Sequence, residues 1–129
     1  MNQIQLVTIP VTTSAGGAFS TTIVAPSGRL LQYRYVPHAS TPLDTGADID
    51  LVGATTGFVY VNQDNIGTTA FQKLPRHKTQ DETGADSLYA AADAASFIED
   101  KMMAGPEQLT FTVAAGGDTK LGTFYFWFG

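Results

Sequence analysis

Cysteine is absent from this 129-residue chain, so neither disulfides nor thiolate metal sites contribute to its fold or chemistry. Charge is scarce as well: Asp, Glu, Lys and Arg make up 15% of residues, against about 25% in ordinary soluble domains. Basic charge is the scarcer kind. Seven Lys and Arg stand against twelve Asp and Glu, leaving a net charge of −5. That balance argues against a general nucleic-acid binder, which needs cationic surface to displace counterions. No apolar run approaches the ~18 residues of a membrane span. Met1-Asn-Gln-Ile-Gln-Leu6 lacks the basic segment and following apolar stretch of a secretory signal. The expectation is a protein made in the cytosol, with neither a membrane nor a nucleic acid as partner. Nucleotide-cradling motifs are also missing, since neither G-x-x-x-x-G-K-[ST] nor G-x-G-x-x-G occurs.

What is present is hydrophobic material in short alternating runs. Hydrophobic residues make up 43% of the chain, enough for a real core. At this length one domain, 1–129, is expected to bury roughly two-thirds of its extended-chain surface. Ile4, Leu6 and Val11 begin a strand-like segment in which Pro10 marks an edge or a bulge, so residues 1–12 read as an edge strand or an extended arm. Ser14–Gly17 reads as a turn, and residues 19–24 as a second strand. Leu30–Val36 is a third, with Leu31, Tyr33 and Tyr35 opposite Gln32 and Arg34. Short strands follow at Ile49–Val52 and Phe58–Val61, separated by a turn at Gly53–Gly57. Residues 62–84 read as a polar loop holding the one basic cluster. The spacing of Leu88, Ala91, Ala92, Ala95, Ile98 and Met102 predicts the only helix, ended by Gly105-Pro106. The fold class expected is therefore mainly all-β: an antiparallel β-sandwich or a jelly-roll-like barrel with at most one short helix.

The last twenty residues are the most informative. Leu109–Val113 and Thr123–Phe128 flank a glycine-rich turn, which reads as an antiparallel hairpin. The second run is apolar on both faces: Phe124, Phe126 and Phe128 point one way, Tyr125 and Trp127 the other. Such a strand is either central and covered on both sides, or presses one face against another subunit.

Little in the sequence assembles into chemistry. His38, Ser40 and Asp44 hold the letters of a hydrolytic triad, but no nucleophile-elbow pattern surrounds Ser40, so a polar loop is the better reading. Asp44, Asp48 and Asp50 offer oxygen ligands at a spacing that matches no calcium loop. Gly16-Gly17 and Gly116-Gly117 are explained as turn residues. Lys73, Arg76, His77 and Lys78 read either as a solvated loop or as a contact for an acidic partner surface. Tyr33, Tyr35, Tyr60, Tyr125 and Trp127 raise a sugar-stacking alternative, although aromatics on sandwich strands more often serve core or interface. No catalytic, cofactor or metal residues are assigned, and an enzyme is not expected.

Tyr35-Val-Pro37, Ala47–Gly57, Leu88–Ala91 and above all Val113–Gly129 resemble small virion-associated proteins of tailed phages and prophages, in which a segment like VAxGGxxKxGTFxxxxG closes the chain. The likeness runs from Leu30 onward, and its motifs are structural. It implies a capsid decoration or cement protein on the outer surface of the head. It further implies the major capsid protein as partner and a homo-oligomer, a trimer being favoured. It also implies that the stretch around residues 88–105 is partly loop-like. On this expectation the subunit or capsid interface includes Ile4, Leu6, Lys73, Arg76, Lys78, Tyr125 and Trp127. The alternatives are another virion part (tail, connector or receptor-binding module) and a carbohydrate-binding module.

Overall fold

The structure, a computed structural model, describes residues 3–24, 28–78, 80, 82–86, 99–104 and 107–129, with backbone alone for 101–104. Among these residues it is all-β. The strands are β1 (Gln5–Thr12), β2 (Phe19–Val24), β3 (Gly28–Pro37), β4 (Asp48–Gly53), β5 (Val59–Gln63), β6 (Phe71–Lys73), β7 (Arg76–Lys78), β8 (Glu99–Ala104), β9 (Gln108–Ala114) and β10 (Leu121–Phe128). They form two antiparallel sheets. The larger runs β1-β10-β3-β8-β7, with β6 also paired to β3, and the smaller runs β2-β9-β4-β5.

Setting aside the three-residue strands β6 and β7, the remaining eight pair from the outside inward: β1 with β10, β2 with β9, β3 with β8, and β4 with β5. That is the strand order of a jelly roll, and an immunoglobulin-like order is excluded by it. The sheets remain open and stack as a sandwich, so the closed-barrel alternative does not hold.

The expected terminal hairpin is not formed. β9 pairs with β2 and β4 in the smaller sheet, whereas β10 pairs with β1 and β3 in the larger. Residues 115–120 therefore arch from one sheet to the other. Ala115, Gly117 and Thr119 all take positive φ in that arch. The arch nests on the β1–β2 connection, where Gly116 N–H donates to Gly17 O at 2.9 Å and buried Thr13 Oγ1 donates to Gly117 O at 2.6 Å. A Cβ at Gly17 (φ +80°) would lie 2.8 Å from Gly117 N, so the two arches meet at a spacing only glycine permits.

Alternation fixes what lies between the sheets. Leu109, Phe111 and Val113 of β9 face Phe124, Phe126 and Phe128 of β10, and all six are buried. Phe111 reaches Phe124 at 4.9 Å and Phe126 at 5.5 Å between ring centroids. Tyr35 stacks on Phe124 and Tyr33 on Phe126, with Phe71 of β6 against both tyrosines. Each such ring removed from water contributes roughly 1.5–3 kcal/mol. A register shift between Trp127 and Phe128 turns Leu30, rather than Leu31, into the core.

Two further expectations are corrected. Residues 62–84 are not one loop, because β6 and β7 pair with β3 and β8 inside them. The predicted helix fails at its C-terminal end, where Glu99–Ala104 is strand β8, held by Gly28–Leu30 and by β7. Its body, 87–98, lies outside the described residues.

Candidate functional site

β10 lies between β1 and β3, so every residue on its outer face has neighbours on both sides. Trp127 is in register with Leu6 and Gln32, Tyr125 with Thr8 and Arg34, and Thr123 with Pro10 and Val36. Side chains at directly opposed positions share a face, so these nine residues form the outer surface of the larger sheet. Tyr125 and Trp127 sit side by side, centroids 6.1 Å apart with planes tilted by 32°. With Leu6, Arg34 and Val36 they line an open depression of about 300 Å³. A second depression, of about 400 Å³, continues it along Pro10, Val36 and Thr123 to His38 and Ala39 at the end of the sandwich. Ile4 lies at the opposite end of the face, exposed and beside Gly129.

The outer surface of the smaller sheet is of another kind. Ser20, Thr112, Asp50 and Asn62 run across its four strands in register, with Thr22 opposite Thr110 in the next row. Hydroxyls, a carboxylate and an amide offer hydrogen bonds there, and the apolar exposure is aliphatic, from Val24 and Val59. Of the two outer surfaces, only that of the larger sheet carries aromatic rings among these rows.

Of the expected interface residues, the fold gathers Leu6, Tyr125 and Trp127 round one depression, while Ile4 is exposed beside Gly129 and does not line it. It does not bring the basic residues there. Lys73 ends β6, its Nζ 5.9 Å from the Phe71 ring, and Arg76 and Lys78 share one face of β7. β8 and β3 separate β7 from β10. Arg76 donates to Pro75 O at 3.0 Å, and Lys78 lies 3.7 Å from Asp86. His77 points to the other side, its Nδ1 3.1 Å from Lys78 O.

Arg34 and Val36 complete the depression and are absent from the residues singled out by sequence. The alternation of β3 already places Arg34 opposite Tyr33 and Tyr35. Its position beside Tyr125 depends on the β3–β10 pairing, which no local pattern announces.

The other candidates have structural explanations. His38 Nδ1 accepts the N–H groups of Ser40 and Thr41, both at 3.2 Å, and lies 3.3 Å from Ser40 Oγ. Asp44 lies instead against Gly117, and its N–H donates to Gly116 O at 3.0 Å. The three residues thus serve a turn and an arch. Asp48 accepts the Asn65 N–H at 2.9 Å. Among the described residues, no group of three or more His, Asp or Glu is placed to hold a metal ion. Tyr33, Tyr35 and Tyr60 are core residues, which leaves Tyr125 and Trp127 as the outward aromatic pair. Burial pushes the Tyr33 hydroxyl up to about 12, and it donates to Gln63 Oε1 at 2.7 Å.

Compared with known proteins, the chain matches no family model, and no curated protein matches it.

Proposed function

We propose that this chain is a non-enzymatic structural protein of a phage virion, a decoration or cement protein that seats the outer face of its larger sheet on the capsid shell. The observation that carries this reading is the grouping of Leu6, Val36, Tyr125 and Trp127 round Arg34 on one outer face. Tyrosine, tryptophan and arginine are the residues from which interface hot spots are most often built. Jelly rolls recur in viral capsid and lectin domains, which is analogy at the level of fold. The resemblance of Val113–Gly129 to closing segments of phage virion proteins points the same way.

On this reading Tyr125 and Trp127 enter an apolar recess between capsomers, and Arg34 meets an acceptor at its rim. Lys73, Arg76 and Lys78 make outlying polar contacts with acidic groups of the major capsid protein. Many copies on a lattice gain from multivalency, so each contact need only be modest. The test is co-sedimentation with capsids of the phage or prophage that encodes the chain. Wild-type protein should saturate them at hundreds of copies, and Trp127→Ala should bind about 30-fold more weakly, a loss of about 2 kcal/mol. A folded protein that never co-sediments defeats the proposal, and about a dozen copies per particle favours a connector or tail part.

The Tyr125–Trp127 pair also suits a second reading, a carbohydrate-binding module, since adjacent rings on a sheet form a platform for a sugar ring. Quenching or a shift of Trp127 fluorescence during saccharide titration would favour it.

A further inference from the structure

The two ends of the larger sheet are finished in opposite ways. One end is β7, whose three residues Arg76, His77 and Lys78 are all basic. Charge of this kind is a common means by which natural proteins keep an edge strand from pairing with another chain. The other end is β1, Gln5–Thr12, which carries no charge at all. Beside it runs β2, the end strand of the smaller sheet, also uncharged. No charged side chain occurs anywhere from Met1 to Gly28, in a chain of net charge −5. This side of the sandwich also presents Ile4 (68% exposed), Leu6 (51%) and Val24 (73%), three of the most exposed large hydrophobic side chains among the described residues. All three lie at one end of this side, because the arch joining β1 to β2 sits at the opposite end of both strands; Leu6 is on the outer face of the larger sheet and Val24 on that of the smaller.

Among the described residues, no strand pairs with the outer edge of β1. Thr13 N–H donates to Lys120 O at 2.9 Å, so Thr13 belongs to the hydrogen-bonded set of the β1–β10 ladder. In an antiparallel ladder that set alternates. Val11, Ile9 and Val7 therefore bond to β10, while Thr12, Pro10, Thr8 and Leu6 turn their backbone groups outward. Pro10 fits this phase, since the N–H it lacks would have pointed to solvent.

We propose that the β1 edge is a self-association surface on which a second copy of this chain pairs antiparallel, joining two larger sheets into one. A two-fold axis beside Val7 sets Leu6 of each copy opposite Thr8 of the other, and Pro10 closes the ladder. The occupant is a second copy because of charge. Two molecules each carrying −5 repel, and the least costly approach is through a surface with no charge on either side. A partner of opposite charge would gain nothing from that surface. Pairing of a strand with itself is isologous and closes at two copies, unlike the threefold association that the phage resemblance implies. This inference concerns the purified chain alone and does not depend on capsid binding.

Light scattering coupled to size exclusion, over a dilution series, should give twice the 13.7 kDa chain mass for wild-type protein. Thr8→Pro removes one outward N–H, as Pro10 already does, and should give a monomer with unchanged circular dichroism. Leu6→Lys, which places charge on the edge, should do the same and carries the test if Thr8→Pro does not fold. In wild-type protein the Leu6 and Thr8 amides should exchange hydrogen slowly when concentrated and quickly when dilute. A wild-type monomer at the highest concentration, a trimer, or a dimer that survives Leu6→Lys would overturn the proposal.

Discussion

Phe111 of β9 and Phe124 of β10 meet across the sandwich, ring centroids 4.9 Å apart and planes tilted by 54°, although they stand at either end of one glycine-rich turn. Phe111 also touches Phe126 and Phe19, so a single ring links three strands and both sheets. Phe111→Ala should destabilise the protein by about 3–5 kcal/mol, because the surrounding strands cannot collapse into the space left. Urea unfolding with an unchanged m-value checks this, and a loss below 1 kcal/mol would mean the two sheets are not held through this ring.

Much of this arrangement is legible in the sequence at the level of single strands. The alternation of Leu109, Phe111 and Val113, and of Phe124, Phe126 and Phe128, identifies the inner faces. The all-β class follows from such runs and their turns. Strand partnership does not. A Gly-Gly turn serves a hairpin and an arch equally well. The choice is made by β10 finding β1 and β3 while β9 finds β2 and β4, a competition among distant segments. β6 and β7 are three residues each, too short to show a period. The aromatic face is half legible: Tyr125 and Trp127 stand out, whereas Arg34 joins them only through that distant pairing.

Gly122 is required by its neighbour Tyr35 rather than by backbone conformation. A Cβ there would lie 2.7 Å from Tyr35 Cε1, and the ring cannot withdraw because it stacks on Phe124 at 4.8 Å. Gly122→Ala should cost about 1–3 kcal/mol through overpacking. In a Tyr35→Leu background the added cost should shrink, and a double-mutant cycle measures the coupling. Additive losses would show that the two positions are not in steric contact.

Glu107 anchors the β4–β5 turn, its carboxylate accepting the N–H groups of Thr55 and Thr56, both at 3.2 Å, and the Thr56 hydroxyl at 2.8 Å. The Thr56 side chain, followed by the backbone donors of Thr56 and Thr55, holds the carboxyl below its usual range. A depressed pKa contributes stability that is present above the unfolded value, about 4.3, and is lost as pH falls through the folded one. Glu107→Gln should therefore be less stable than wild type at neutral pH, with the gap narrowing below about pH 4.3. Thermal unfolding across that range checks it, and a gap independent of pH would detach the stabilisation from the carboxylate.

Tyr33 gives the opposite limb. Its hydroxyl is buried, donates to Gln63 and is raised to about 12 in the folded protein, so folding favours the neutral phenol. A raised pKa contributes stability that is complete below the unfolded value, near 10, and declines as pH rises from there through the folded value. Wild-type protein should thus lose stability between about pH 10 and 12, the neutral form being required for the Gln63 contact. Tyr33→Phe should cost about 1 kcal/mol at neutral pH, because Gln63 Oε1 loses its donor. The same variant should lose less than wild type on going to high pH, so the two stability curves converge on the alkaline side. Tyr35, also raised by burial, still titrates in the variant and keeps some alkaline sensitivity. Parallel curves for Tyr33→Phe and wild type would show that the Tyr33 phenol does not set the alkaline limit.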